Sequence, residues 1–124
     1  MSADLLQAIG RVVFGGFFLI AAFRNFRNFG ERVERSETNY GWRLPPALLA
    51  VGFTMQALGG VSLLFNLWPV YGAILLIVFL CLATPLYHNP MMFEGEARGP
   101  HLYLTLVNVT LAGGLALVIA NALT

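Results

Sequence analysis

Four polar side chains of this sequence are candidates for a binding site: Thr84, His88, Thr105 and Asn108. Each lies near the end of an apolar segment that is predicted to be helical, on the side of the long connecting segments. Together they predict a polar pocket that opens toward those loops. Hydroxyl, amide and imidazole groups can bond the carbonyl oxygens of a membrane-dissolved quinone, and a histidine can exchange protons with it. The alternative is that these groups bond neighbouring helices or their own backbone carbonyls.

Two histidines, His88 and His101, flank the second long connecting segment. A facing pair of imidazoles could ligate a haem, and a metal ion would need Glu94 or Glu96 as a further ligand. No complete metal-binding, nucleotide-binding or nucleophile motif accompanies them in the sequence. We expect no metal site, because histidines at a membrane interface are usually solvated or hydrogen-bonded locally.

A second candidate is the pair Arg11 and Gln56, which interrupt apolar segments. At the helical rise of ~1.5 Å per residue, Arg11 lies about 9 Å into the first segment and Gln56 about 15 Å in from the same face. A buried arginine costs about 2.5–3.5 kcal/mol on insertion scales, so it should face other helices. We therefore predict a polar pair within the membrane, acting as a structural clamp or in ligand binding. A side chain that snorkels outward is the alternative for Arg11.

The stretch from Leu44 to Tyr87 carries Gln56 and Thr84, and it contains no Asp, Glu, Lys, Arg or His. As one helix it would be about 66 Å long, roughly twice the ~30 Å hydrocarbon thickness of a bilayer. It must therefore fold back, and its central turn signal is Asn66-Leu67-Trp68-Pro69. This predicts two membrane spans, at about 46–65 and 70–87.

Two further apolar segments, 5–23 and 101–122, are long enough to span a bilayer. The segment at about 24–36 repeats Phe-Arg-Asn and pairs Glu31 with Arg35 at i,i+4, which predicts a short interfacial helix. The predicted fold class is all-α, a four-transmembrane-helix antiparallel bundle that forms a single membrane domain over residues 1–124. Three glycine pairs are predicted to mark helix-packing faces: Gly15 and Gly16, Gly59 and Gly60, and Gly113 and Gly114.

The composition excludes an ordinary soluble domain, since 58% of the 124 residues are hydrophobic and only 10% are charged. The net charge of +1 comes from dispersed arginines without any lysine, which argues against nucleic-acid binding. Most arginines fall on the long-loop side, and this favours cytoplasmic loops by the positive-inside rule. The lone Cys81 excludes an internal disulfide, and we expect it to be a packing residue.

The order and spacing of several segments resemble the DoxX family of small four-helix membrane proteins, over essentially the whole chain. These segments are Arg11 followed by Gly15-Gly16-Phe17, Gln56-Ala57-Leu58-Gly59-Gly60, His88 to Glu96, and Asn108-Val109-Thr110-Leu111-Ala112-Gly113-Gly114. Members of that family typically carry an acidic residue where this chain has Gln56. The departure removes an ion pair with Arg11 and speaks against a proton-linked role there. The basic residue that often ends the family's first helix corresponds to Arg24.

The resemblance implies a link to membrane redox complexes, because the family takes its name from a subunit associated with thiosulfate:quinone oxidoreduction. We therefore expect a small accessory subunit of a respiratory or redox-associated complex, in contact with the lipid bilayer and with a membrane protein partner or a second copy of the chain. A quinone-binding oxidoreductase subunit is one alternative, and a lipid-binding or small-solute transport module is another. The expected location is a bacterial inner membrane, crossed several times.

Overall fold

The computed structural model describes residues 2–40, 44–87 and 95–123. Within these ranges every regular element is a helix and no strand occurs. The predicted all-α fold class is therefore confirmed. The helices are α1 (Ala3–Arg27), α2 (Phe29–Tyr40), α3 (Pro46–Leu64), α4 (Pro69–Tyr87) and α5 (Arg98–Leu123), the last preceded by a 3-10 turn at Gly95–Ala97.

Three helical segments are long and apolar enough to cross a membrane, namely Ala3–Arg27, Pro46–Leu64 and Gly99–Leu123. Helix α4 is also apolar and, like α3, has 19 residues, which is close to the minimum length for a span. The protein is thus an integral membrane protein with several spanning helices. The first helix continues to Arg27, beyond the predicted end at Phe23, so α2 starts later than the predicted interfacial segment.

Local chemistry explains where α1 and α3 begin and where α1 ends. The Ser2 hydroxyl accepts a hydrogen bond of 3.1 Å from the backbone N–H of Leu5, which caps α1. Pro45 and Pro46 open α3 at positions where a missing N–H costs little. At Asn28 the backbone leaves helical geometry, with φ −108° and ψ 34°, and its side chain bonds the carbonyl of Arg24 at 3.0 Å.

The turn between α3 and α4 is tight, as its sequence predicts. Asn66 and Trp68 both adopt the left-handed backbone region, with φ of 56° and 48°. That conformation is uncommon for a bulky residue such as tryptophan, so surrounding contacts must hold it. The Ser62 hydroxyl supplies them, since it lies within hydrogen-bond distance of the backbone carbonyls of Leu67 and Trp68.

The apolar helices pack in the order α1, α3, α4 and α5, each against the next. Gly15 of α1 lies against Gly60 and Leu64 of α3, while Leu19 lies against Gly60. Because the α3 contact moves backward as α1 advances, the two helices are antiparallel. Between the spans lies a core of fully or largely buried side chains: Phe18, Leu63, Ala73, Leu76, Leu80 and Leu115.

Helix α2 docks onto the beginning of α3 through a second apolar cluster. Val33 of α2 is buried together with Leu44, Leu49 and Phe53, and Phe29 packs against them. The Ser36 hydroxyl is also buried and accepts a 3.0 Å hydrogen bond from the backbone N–H of Leu44. The segment predicted to be an interfacial helix is therefore held against the bundle by side-chain packing.

Candidate functional site

A cavity of about 310 Å³ lies where α1, α2, α3, α4 and α5 come together, on the side of α2. We call it the loop-side cavity. Its wall is mostly apolar, and its polar side chains come from four helices. The apolar members include Phe17, Phe18, Leu49, Phe53, Phe79 and Leu80, and the polar members are Asn25, Arg32, Arg35, Gln56 and Asn108.

Gln56 is the most enclosed of these polar groups, with only 5% of its surface exposed. Its Oε1 accepts a 2.9 Å hydrogen bond from the side-chain amide of Asn25 on α1. The Oδ1 of Asn25 in turn accepts a 3.0 Å hydrogen bond from Nε of Arg32 on α2. The chain Gln56, Asn25 and Arg32 satisfies the buried amide that its desolvation would otherwise penalise.

The predicted pocket residues Asn108 and Thr84 meet in the structure. The Asn108 amide nitrogen donates a 3.1 Å hydrogen bond to the Thr84 hydroxyl, which itself donates to the backbone carbonyl of Leu80 at 2.6 Å. Asn108 also lines the loop-side cavity, so it lies in the same polar set as Gln56. The structure thereby joins two groups of residues that the sequence had assigned to separate sites.

The other two predicted pocket residues, Thr105 and His88, are not seen at the loop-side cavity among the described residues. The Thr105 hydroxyl donates a 2.8 Å hydrogen bond to the backbone carbonyl of His101, one turn earlier in its own helix. His88 and Glu94 lie outside the described residues. Glu96 is exposed in the 3-10 turn. Within 2–40, 44–87 and 95–123, no three His, Cys, Asp or Glu side chains group as metal ligands would.

The structure does not bring Arg11 and Gln56 together. Because Gly15 lies against Leu64, Arg11 one turn earlier falls level with the turn after α3, and it lines a cavity with Asn66 and Pro69. By helical rise, Gln56 stands roughly 18 Å away along the bundle. The predicted pairing assumed that depth counted from each span end gives the register. The first turns of α1 extend past the end of α3, so that assumption was wrong.

Arg11 instead belongs to a second cavity of about 660 Å³ at the opposite end of the bundle, which we call the terminus-side cavity. It lies between the first turns of α1, the last turns of α5 and the turn between α3 and α4. Its polar lining side chains are Gln7, Arg11, Asn66 and Asn121. The cavity is thus separate from the loop-side cavity and shares no lining residue with it.

Four of the six glycines predicted to mark packing faces lie at close helix contacts: Gly15, Gly59, Gly60 and Gly114. A Cβ on Gly15 would stand 2.6 Å from the backbone nitrogen of Leu64, which allows no side chain there. Gly114 meets the ring of Phe14, where α5 approaches α1. Gly16 and Gly113 have no atom within 4 Å of an added Cβ, so these two make no close helix contact within the described chain.

Cys81 is a further correction, because it is exposed on α4 rather than packed in the interior. Its neighbours Phe79 and Leu80 are buried instead. An apolar span offers no polar face from which the rotation of the helix about its axis could be read.

Asn25 and Arg32 are functional candidates that the sequence did not single out. Asn25 was treated as part of a repeated Phe-Arg-Asn triplet, and Arg32 as one of several loop arginines. Their spacing of seven residues was an available signal, since it places two side chains on the same side of a continuous helix. The break at Asn28 made that signal hard to use.

Comparison with known proteins gives one match. Neither a curated protein nor a solved structure is found to match the chain. The DoxX family model matches residues 6–89, which includes α2, α3 and α4 entirely and most of α1, and stops before α5. Asn108 and the glycines of α5 therefore lie outside the matched range. With more than half of its residues matched, the chain belongs to the DoxX family.

Proposed function

We propose that this protein is a small subunit of a redox-associated membrane complex, and that it holds a quinone-class ligand in the loop-side cavity. The observation that carries the ligand is the set of donors around an otherwise apolar space. Asn108, Gln56 and Arg32 line one cavity whose wall is largely aromatic and aliphatic. The association with a redox complex rests on what the family resemblance implies.

The donor chemistry fits a head group with carbonyl oxygens. Each primary amide nitrogen carries two hydrogens, and Asn108 directs one of them to Thr84. The Oε1 of Gln56 accepts a hydrogen bond from Asn25. The donor end of the Gln56 amide, its Nε2, therefore points away from Asn25. A quinone ring presents two acceptors and no donors, so it complements amide and guanidinium groups better than it complements carboxylates.

The size and lining of the cavity support the same class of ligand. A volume of about 310 Å³ lies at the lower end of the ~300–1,000 Å³ that is typical of small-molecule sites. Phe17, Phe53 and Phe79 offer ring faces for stacking, and Leu48 and Leu82 offer aliphatic contacts for a tail. The protein lies in a lipid bilayer, and a lipid-soluble ligand is concentrated there.

The test is to purify the full chain in mild detergent and to measure by mass spectrometry the quinone that co-purifies. The variants Gln56→Leu and Asn108→Leu should reduce bound quinone by about tenfold, because each removes one donor of about 1–1.5 kcal/mol. Thr110→Ala is the matched control, since Thr110 is exposed on α5 and bonds only the carbonyl of Leu106. Equal quinone retention in all three variants would contradict the ligand assignment.

An accessory role without a ligand is the second candidate. It is favoured by the low burial of α5, since only 6% of its span window is buried within the chain. Lipid alone also accounts for such exposure, so the deciding result is co-purification. A stoichiometric oxidoreductase partner without bound quinone would establish the accessory role and remove the quinone from the proposal.

A further inference from the structure

The terminus-side cavity is lined by a cationic side chain, Arg11, which has no part in the proposed function. The Arg11 guanidinium is a cation, and its Nε atom is buried without a hydrogen-bond partner among the described residues. A buried donor of a charged group that lacks a partner costs more than a neutral one. This cost is unnecessary for packing alone, because a leucine or methionine could fill the same position.

Arg11 has polar neighbours in this cavity. Gln7 lies one turn earlier on the same face of α1, and Asn66 and Asn121 line the cavity from the interhelical turn and from α5. Among the described residues that line the cavity there is no carboxylate. Asp4 is exposed seven residues before Arg11, at the start of α1. Three amides and one guanidinium that line the same cavity form a set of donors suited to an anion.

The rest of the wall is apolar. Leu6 and Phe14 come from α1, and Leu117 and Val118 come from α5. The contact of Phe14 with Gly114 closes the cavity toward the middle of the bundle. An occupant would therefore meet a cation and amides as well as hydrocarbon. That combination suits an anionic group carried on an acyl chain.

We propose that the terminus-side cavity binds an anionic phosphate or carboxylate group through Arg11, with Gln7, Asn66 and Asn121 as amide donors. The group is the head of a membrane lipid or a free anion, and the two sources share the same recognition chemistry. The site is independent of the loop-side cavity, so it stands whether or not a quinone binds there.

The experiment measures thermal unfolding and native mass spectra of the full chain with three probes: phosphatidylglycerol, phosphatidylcholine and inorganic phosphate. The wild-type chain should be stabilised more by the anionic lipid than by the zwitterionic one. Arg11→Gln should weaken phosphatidylglycerol binding by about tenfold or more, as expected for a lost charge-assisted hydrogen bond. Arg24→Gln is the matched control, since Arg24 is exposed on the same helix and lines neither cavity.

A second variant keeps the test valid if Arg11→Gln does not fold. Gly10 lines the terminus-side cavity, and a Cβ added to it meets no atom within 4 Å. Gly10→Leu should therefore fill the cavity and displace the ligand while α1 keeps its packing. Gly16→Leu is its control, because that position is equally open and lies in neither cavity.

The outcomes separate the two sources. Stabilisation by phosphatidylglycerol alone, lost in Arg11→Gln and Gly10→Leu, supports a lipid head group. The same Arg11-dependent stabilisation by millimolar inorganic phosphate supports a free anion. The proposal is overturned when neither anion stabilises the wild-type chain more than phosphatidylcholine does, or when the two variants keep the full preference.

Discussion

The side-chain amide of Asn25 donates a 2.9 Å hydrogen bond to Oε1 of Gln56, and this bond joins α1 to α3 at the wall of the loop-side cavity. The same Asn25 accepts from Arg32, so one amide links three helices. The amide oxygen of Gln56 is sufficient to accept this bond, so the link between α1 and α3 needs no carboxylate at position 56.

This relationship predicts an energetic coupling between Asn25 and Gln56. Asn25→Leu and Gln56→Leu should each lower the free energy of unfolding by about 1–2 kcal/mol, because each leaves a partly buried polar group without its partner. The double variant should cost less than the sum, by about 0.5–1.5 kcal/mol. Thermal or denaturant unfolding of the purified chain in detergent measures all four states of the cycle. Asn28 provides the control, since its side chain bonds only Arg24 of its own helix and should show no coupling to Gln56.

The helices were predictable because the membrane restricts the choices so strongly. A run from Leu44 to Tyr87 without charge is too long for one span, so it must turn, and it does so at Asn66–Pro69. The observed helices α3 and α4 begin and end close to the predicted spans. The i,i+4 ion pair of Glu31 and Arg35 was also predictable, and its atoms lie 2.6 Å apart.

The pairing of side chains across helices was not predictable in the same way. Counting depth from the span ends placed Arg11 near Gln56, whereas the contact of Gly15 with Leu64 sets a register that separates them. The register of α1 against α3 depends on where the small residues of the two helices allow close contact, and hydropathy does not encode this. The exposure of Cys81 and the open space beside Gly16 have the same origin, since helices that are apolar all round give no signal for rotation.

Close packing at Gly15 gives a second prediction. In Gly15→Ala the new methyl group would meet backbone atoms of Gly60 and Leu64 at 2.6–2.9 Å, and backbone cannot move aside as a flexible side chain can. We expect a loss of about 1–3 kcal/mol, seen as a lower unfolding temperature. Gly16→Ala is the matched control. It meets no atom and should be neutral or stabilise the helix by up to ~1 kcal/mol. Equal effects of the two substitutions would contradict the observed rotation of α1.

The attachment of α2 gives a third prediction. Ser36 is fully buried, and its hydroxyl donates to the carbonyl of Val33 and accepts from the N–H of Leu44. Ser36→Ala would leave the Leu44 N–H buried without that acceptor, at a cost of about 1–3 kcal/mol. Limited proteolysis should then cleave between α2 and α3 faster than in the wild-type chain. Thr54→Ala is the control, because Thr54 is exposed and bonds only Ala50 one turn earlier. Unchanged cleavage in Ser36→Ala would show that packing of Val33 alone holds α2.

The exposed Cys81 tests whether α4 crosses the membrane. Cys81 lies twelve residues after Pro69 and six before Tyr87, so in a spanning α4 its thiol stands about 9 Å or more from either end. In intact vesicles, membrane-permeant N-ethylmaleimide should reach it through the lipid more readily than a charged sulfonated maleimide, and the charged reagent should label it only after detergent is added. A chain with Cys81→Ala and Leu67→Cys is the control, since Leu67 is exposed in the turn before α4 and should react with the charged reagent on one side of the membrane. Rapid labelling of Cys81 by the charged reagent in intact vesicles would place α4 at the surface and reduce the number of spans.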